Sequence, residues 1–501
     1  MKLSDVLAGC GAEQVGGSRA RVEITAVTAD SRQVEPGHLF VAVPGTKEDG
    51  AQFVGEAIAR GASALLVERP VDAKVPVFVV GNARRALAVV AANFYGNPAK
   101  ELVLLGVTGT NGKTTTSYLL ESMCAAGGAS TGLIGTVQYK YAGRRVEAPH
   151  TTPDPLALHK LLRDMVDAGT DTVVMEVSSH ALAQERVHGL TYRAAGFTNL
   201  SRDHLDYHKD MEDYFQAKRK LFAENLSLGG VAVVNGEDTY AVRLYNELRG
   251  LKRMAWKFSR VGNGEISAAN VEYSLAGIRA TLKTPAGDIP VKSSLVGMHN
   301  LDNILTAVGM ALGAGFSRRD VQDGIERVTR VPGRMEAVEA DGVTALVDYA
   351  HTDDALARAL ETTRALAKGR VITVFGCGGD RDRGKRPLMG AVAGEGADLV
   401  VVTSDNPRTE DPDDIISEIL PGLEKAGVRR ISPAKAKGGE RGFLVEQDRK
   451  EAIRLAASLA RPGDVVLIAG KGHETWQITG STRAPFDDRE VAVAALAERK
   501  A

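Results

Sequence analysis

Short apolar runs alternate with helix-length amphipathic stretches along almost all of the 501 residues, the pattern of strands and helices in an α/β protein. In the first block the runs Leu39 to Val43, Ala64 to Val67 and Val75 to Val80 read as strands, and Val54 to Arg60 and Arg84 to Tyr95 as helices. Asn97-Pro98-Ala99 breaks that pattern. A second block opens with Leu102 to Leu105 and continues through Thr172 to Val177, Gly196 to Thr198 and Gly230 to Val234, with a helix expected over Pro155 to Ala168. From Pro332 a third block places strands at Ala345 to Asp348, Val371 to Phe375, Leu399 to Ser404 and Val465 to Ala469. The pattern predicts an α/β protein of three domains: a smaller α/β domain over 1–98, a central, mostly parallel sheet domain over 99–331 and a doubly wound, Rossmann-like domain over 332–501. In the third block each strand runs into polar or Gly-rich residues at its carboxyl end, where open α/β sheets hold ligands.

Composition narrows the function classes. Hydrophobic content of 44%, charged content of 25% and a formal net charge of −1 describe an ordinary globular protein with no surface built for nucleic acid. Cys10, Cys124 and Cys377 lack C-x-x-C spacing, which argues against a disulfide framework or structural zinc and fits a reducing cytoplasm. No run of about 18 apolar residues is present and Met1 to Ala20 holds no apolar signal core, so neither secretion nor membrane insertion is expected.

The strongest chemical signal follows Leu102 to Leu105, where the chain reads Val107-Thr-Gly109-Thr110-Asn111-Gly112-Lys113-Thr114-Thr115-Thr116. A strand that breaks into a Gly-rich turn and opens a helix presents backbone N–H groups to phosphate oxygens. Lys113 adds a point charge, and Thr114 or Thr115 can reach Mg²⁺. A nucleoside triphosphate is expected to bind here. Glu176 ends the strand Thr172 to Val177 and is either a capping or surface residue or a carboxylate for a hard divalent cation. Asp203-His204-Leu205-Asp206-Tyr207-His208 is either a solvated loop or a site of metal binding or proton transfer. Lys218, within Gln216 to Lys220, reads locally as the basic face of an exposed helix. Asn300 can cap the helix expected over Ile304 to Leu312, with Asn303 offering an amide to a base or phosphate. Arg334, at the junction of the second and third blocks, is either an interdomain ion-pair partner or a finger over bound phosphates. Asp348 is placed to accept from a ribose hydroxyl. On the third block, Arg381, the stretch Asp405-Asn406-Pro407-Arg408, Gly470 and Glu474 each follow a strand. Guanidinium forks for carboxylates and a glutamate for an ammonium group suit an amino acid.

These motifs, with Asp30-Ser31-Arg32, Thr151-Thr152-Pro153, Glu176-Val-Ser-Ser-His180 and Asn199 to Asp206, resemble the Mur ligases, and among them the type that adds 2,6-diaminopimelate. The resemblance covers essentially the whole chain. It implies domains for a UDP-sugar peptide, ATP and the incoming amino acid. Ser31 with Pro44 and Gly45 would hold the uridine diphosphate end. His150, Thr151, Thr152, Ser178, Gln184 and Arg186 would line the muramoyl-peptide portion. Lys113, Lys218, Glu176 and His204 would be catalytic, with Thr114, Thr115, Glu176, His204 and a carbamylated Lys218 around Mg²⁺. Asn303, Arg334 and Asp348 would surround the nucleotide, and Arg381, Asp405, Asn406, Pro407, Arg408, Gly470 and Glu474 the amino acid. The chain departs from the family pattern at His150, where Asn is usual, and at Asp353, where Pro is usual.

The implied activity is ATP-dependent, ADP-forming amide-bond synthesis on UDP-N-acetylmuramoyl-L-alanyl-D-glutamate through an acyl phosphate. It would serve peptidoglycan precursor synthesis by a cytoplasmic monomer with no nucleic-acid partner. The rivals are the same ligase using L-lysine, a folylpolyglutamate-type ligase and a P-loop ATPase that switches partners.

Overall fold

The structure, a computed structural model, describes residues 1–16, 22–45 and 48–499. Three sheets dominate it, and each carries a separate apolar core on either face because successive strand residues point to opposite sides. In the first sheet Leu39 and Val41 pack with Leu87 and Val90 of the helix Ala83–Phe94, while Phe40 and Ala42 face Val54 and Ala57 of Val54–Ala59. Asn82 caps the first of these helices by accepting from the amide of Arg85 at 3.0 Å. The sheet order is Glu13–Gly16, Val77–Val79, Ala64–Val67, His38–Val41, Ala26–Thr28, parallel except for the first pair.

The central sheet has eleven strands. Its middle is parallel: Met254–Ser259, Leu226–Asn235, Tyr192–Phe197, Val103–Thr108, Thr172–Glu176 and Thr131–Ile134 lie side by side. Gln138–Tyr141 and Arg144–Glu147 extend one side antiparallel; on the other, Ile266–Ser274 joins parallel to Met254–Ser259, and Gly277–Lys283 and Ile289–Ser293 follow antiparallel. Pattern reading did not foresee these flanks, because their exposed faces dilute the apolar signal. The helix Lys113–Ala126 buries Leu119, Leu120 and Met123 against Leu105 and Val107, and Leu104 faces the other core with Phe215 and Leu221.

The third sheet runs Glu336–Ala340, Val343–Asp348, Val465–Ala469, Val371–Phe375, Leu399–Val402, Gly442–Val445, parallel except for its first pair. Helices Asp353–Leu366, Lys385–Gly396 and Pro412–Lys425 cover one face, and Arg449–Leu459 and Asp488–Glu498 the other. This is the doubly wound arrangement expected of the third block. A two-stranded hairpin, Trp476–Thr479 with Thr482–Pro485, projects from it.

Two local expectations are corrected. Lys218 is not on a basic surface: in the helix Met211–Ala223 it is 1% exposed, on the face that carries Tyr214, Leu221 and Phe222 inward. The helix expected from Ile304 begins instead at Met298, so Asn300 lies inside it and donates to the Val296 carbonyl at 2.7 Å rather than capping an N–H.

Candidate active site

The strand Val103–Thr108 lies near the centre of its sheet, so the turn after it opens at the carboxyl edge between two parallel neighbours. Gly109 and Gly112 have φ of 145° and 87°, and a Cβ on either would run into Thr198 or Asn303. The turn therefore needs glycine at both positions. Lys113 Nζ is held on the carbonyls of Gly109 and Thr110, both at 2.9 Å. Loss of hydration lowers its pKa, against the pull of Glu176 and Asp203.

Around this loop a cavity of about 230 Å³ is lined by Thr110 to Thr115, Thr136, Thr151, Glu176, Ser178, His204, Asn303, Arg334 and Asp348, among others. Glu176 is 1% exposed. It accepts from Thr114 Oγ1 at 3.1 Å and from the hydroxyl and amide of Thr136, each at 2.9 Å. Its hydrogen-bond donors are all neutral, and Lys113 acts on it only at longer range, so this is a buried carboxylate without a direct cationic partner among the described residues. Such a group fits a hard divalent cation. His204, with φ of 56°, lies 3.3 Å from Asp203. Burial pushes its pKa down to about 4 against the pull of Asp203, leaving a neutral ring able to ligate metal. Burial would raise the Asp203 carboxyl, but His204 and His351 hold it below its ordinary value.

Lys218 Nζ donates to the Gly109 carbonyl at 2.8 Å and lies 4.6 Å from the centre of the Tyr214 ring. Burial and the neighbouring Lys113 drive its pKa well below that of a free lysine. Arg334 donates to Thr114 Oγ1 at 3.1 Å and stacks 4.7 Å over Tyr349, so it reaches across from the junction to the phosphate loop. Asp348 accepts from the amides of Met335 and Ala350 at 2.8 and 2.9 Å. Burial raises its pKa despite Arg334. Asn303 donates to Asn300 at 2.9 Å and faces Thr116 at 3.4 Å.

A second cavity, of about 500 Å³, is lined by Arg381, Asp405, Asn406, Arg408, Gly470 and Glu474 and shares Asp203, His204, Tyr349 and His351 with the first. Asn406 donates to Glu474 at 2.7 Å, and the buried Lys471 donates to both Asn406 and Glu474, at 3.0 and 3.1 Å. Arg408, with φ of 53°, donates to the Gly379 carbonyl at 2.7 Å, and burial together with Arg381 lowers its pKa. Pro407 turns the chain between these side chains and does not line the cavity.

The remaining residues singled out for the UDP-sugar peptide are spread wider. Thr152 accepts from the Ser178 amide at 3.1 Å and donates to the Glu176 carbonyl at 2.8 Å. Arg186 joins it through the Thr152 carbonyl at 2.8 Å and holds Gln184. The His150 side chain is exposed, and its carbonyl accepts from Tyr139. Ser31 is buried on Glu56 at 2.6 Å, and Pro44 accepts from Arg84. Ser31, Pro44, Gly45, His150, Thr152, Gln184 and Arg186 line neither cavity, and neither do Gly109 and Lys218. Sequence reasoning missed Thr136, Asp302, Arg358 and Lys385, which do. Single polar residues outside any motif gave no signal.

The profile of the Mur ligase middle domain matches residues 107–311, that of the Mur ligase glutamate ligase domain 333–472, and that of the Mur ligase family catalytic domain 23–95. The chain belongs to the Mur ligase family. It is 47% identical to the UDP-N-acetylmuramoyl-L-alanyl-D-glutamate–2,6-diaminopimelate ligase of Geobacter metallireducens, with 99% of each chain covered. The enzyme of the same name from Gloeobacter violaceus is 46% identical over 100% of this chain and 99% of its own. A solved structure of such a ligase superposes with a TM-score of 0.71 at 34% identity, covering 100% of this chain and 99% of that one. As a Mur ligase, the chain is an ATP-dependent enzyme of peptidoglycan synthesis. The fold alone is shared with a folylpolyglutamate synthase of Mycobacterium tuberculosis complexed with ADP, at a TM-score of 0.63 and 19% identity over 77% of this chain and 91% of that one.

Proposed function

We propose that this chain joins 2,6-diaminopimelate, in its meso form, to UDP-N-acetylmuramoyl-L-alanyl-D-glutamate, forming ADP and phosphate through an acyl phosphate. The observation that carries this reading is the continuity of the two cavities through Asp203, His204, Tyr349 and His351. A carboxyl group activated at the phosphate loop stands beside the place where an amine can wait. In the first step a carboxylate oxygen of the dipeptide forms a bond to the γ-phosphorus and the β–γ bridging bond breaks, releasing ADP. Lys113, Arg334 and the loop amides offset the repulsion between two anions. In the second step the amine attacks the acyl carbon, phosphate leaves and the nitrogen loses its extra proton.

Glu176, His204, Thr114 or Thr115 and Lys218 would hold Mg²⁺, which supplies charge neutralisation at the phosphates. Lys218 suits carbamylation because burial and Lys113 outweigh the pull of Asp203 and favour its free amine, the form that adds CO₂ and releases a proton. The carbamate would turn a repelling cation into an oxygen ligand. Residues 1–98 would serve the uridine diphosphate end, 99–331 ATP and 332–501 the amino acid, in a cytoplasmic monomer.

Arg408 and Arg381 bring two guanidinium groups to the acceptor cavity, which suits an amino acid with two carboxylates. Facing lysine, the half-buried Arg408 guanidinium would lose its carboxylate partner, a difference worth up to about 10⁴ in kcat/KM. Phosphate release, assayed with each amino acid in turn, decides the reading. It is expected only when ATP, the UDP-dipeptide and diaminopimelate are all present. Equal rates with lysine would overturn the choice of acceptor, and release without any acceptor would favour the ATPase switch. Arg408→Ala should lower kcat/KM for diaminopimelate by about 10³ while nucleotide affinity persists.

A further inference from the structure

Asp354 lies in the first turn of the helix Asp353–Leu366, which Thr352 caps by accepting from the Ala355 amide at 3.3 Å. Its Oδ2 reaches out of the third domain and accepts from Asn111 Nδ2 at 3.0 Å and Ser201 Oγ at 2.7 Å. Arg358 Nε donates to the same carboxylate at 3.1 and 3.3 Å. Asn111 belongs to the phosphate loop, Ser201 precedes the Asp203–His204 segment, and Arg358 lines the nucleotide cavity. One carboxylate therefore ties the third domain to both loops that flank the place of phosphoryl transfer.

Other polar links across the same cleft are weaker or already part of the site. Arg202 and Asp382 stand 3.8 Å apart, and Arg483 meets Glu147 with side chains 49% and 72% exposed. Water and salt screen such pairs. Arg334 reaches Thr114 from the junction segment, where it serves the phosphates. Asp354 is the more sheltered partner, at 28% side-chain exposure, and its bonds are charge-assisted.

We infer that Asp354 is a positioning residue that latches the third domain onto the phosphate loop and so keeps the acyl phosphate from water until an amine arrives. The inference rests on the ligase reading above. An acyl phosphate hydrolyses when its site opens, so closure affects the yield of amide per ATP as well as the rate. Losing the latch should shift the closed-to-open ratio by about tenfold.

The test counts phosphate released per amide bond formed by the full chain with ATP, the UDP-dipeptide and diaminopimelate. The natural chain should give a ratio of one. Asp354→Ala should raise it at least about threefold, and should also raise phosphate release when the amino acid is withheld. Asp354→Asn keeps an acceptor for Ser201 and Asn111 without the charge, and should fall between the two. A residue that merely held the helix would lower kcat with the ratio unchanged. A ratio of one in both variants overturns the latch, and if Asp354→Ala does not fold, Asp354→Asn and Ser201→Ala decide. If the natural chain forms no amide at all, the ligase reading fails and takes the latch with it; a productive natural chain with tightly coupled variants sinks the latch alone.

Discussion

Two lysines are buried beside the two cavities' residues, Lys218 in the central domain and Lys471 in the third, and their surroundings differ. Lys471, in the third domain, is 0% exposed and bonded to the carboxylate of Glu474 and the amide of Asn406. Lys218, in the central domain, is 1% exposed, but its one hydrogen-bond acceptor among the described residues is the Gly109 carbonyl, and the repulsion of Lys113 outweighs the pull of Asp203. A buried ammonium with a carboxylate is an ordinary structural ion pair. One without is driven toward the free amine, and such an arrangement belongs to reactive sites. The contrast separates a lysine that shapes a pocket from one that chemistry changes.

The largest effect should come from Lys218. Lys218→Ala is expected to lower kcat by about 10³ or more while nucleotide binding remains. Activity within tenfold of the natural chain would break the contrast. ¹³C-bicarbonate sharpens the same point: NMR should show one carbamate signal that disappears in Lys218→Ala and persists in Lys471→Met. A signal that survives in both would place the modification elsewhere.

Lys471→Met should act next most strongly and on a different parameter. Glu474 loses its cation and keeps only Asn406, so KM for diaminopimelate should rise about 30-fold with the affinity for ATP unchanged. A matching rise in KM for ATP would mean that Lys471 supports the whole cleft rather than the acceptor pocket.

His159 offers the cleanest test, on stability rather than activity, because it is a buried ionisable group that lines neither cavity. It is 2% exposed on the helix Pro155–Asp167, both ring nitrogens lack hydrogen-bond partners among the described residues, and burial pushes its pKa down to about 4. With the folded pKa below the unfolded value, the unfolded chain binds more protons between pH 6.5 and 4. Stability is therefore complete above about pH 6.5 and falls as the pH drops toward 4, by about 3 kcal/mol from this residue. His159→Leu should flatten that part of the curve in urea unfolding, and an unchanged slope would show that His159 escapes to water on protonation.

Much of the fold was legible because its signals are local. The runs Ala64–Val67, Val371–Phe375 and Val465–Ala469 form strands with the predicted bounds, since strands buried on both faces are continuously apolar. The phosphate loop was legible too, because its glycines and Lys113 sit within a few residues of one another. The strand Arg144–Glu147 was not, being exposed along its whole length at a sheet edge. Thr136, whose hydroxyl and amide hold Glu176, lies in no pattern at all.

The amino-acid sequence alone determined the strand and helix order, the place of the phosphate turn and, through its motifs, the family. Tertiary structure decided what each charged side chain is. Whether Lys218 is a surface cation or a buried amine, and whether Asp354 ends in solvent or on the phosphate loop, depends on chain segments that lie more than a hundred residues away in sequence. Ionisation follows from the solvent and charges nearby, and those neighbours exist only once distant segments have packed.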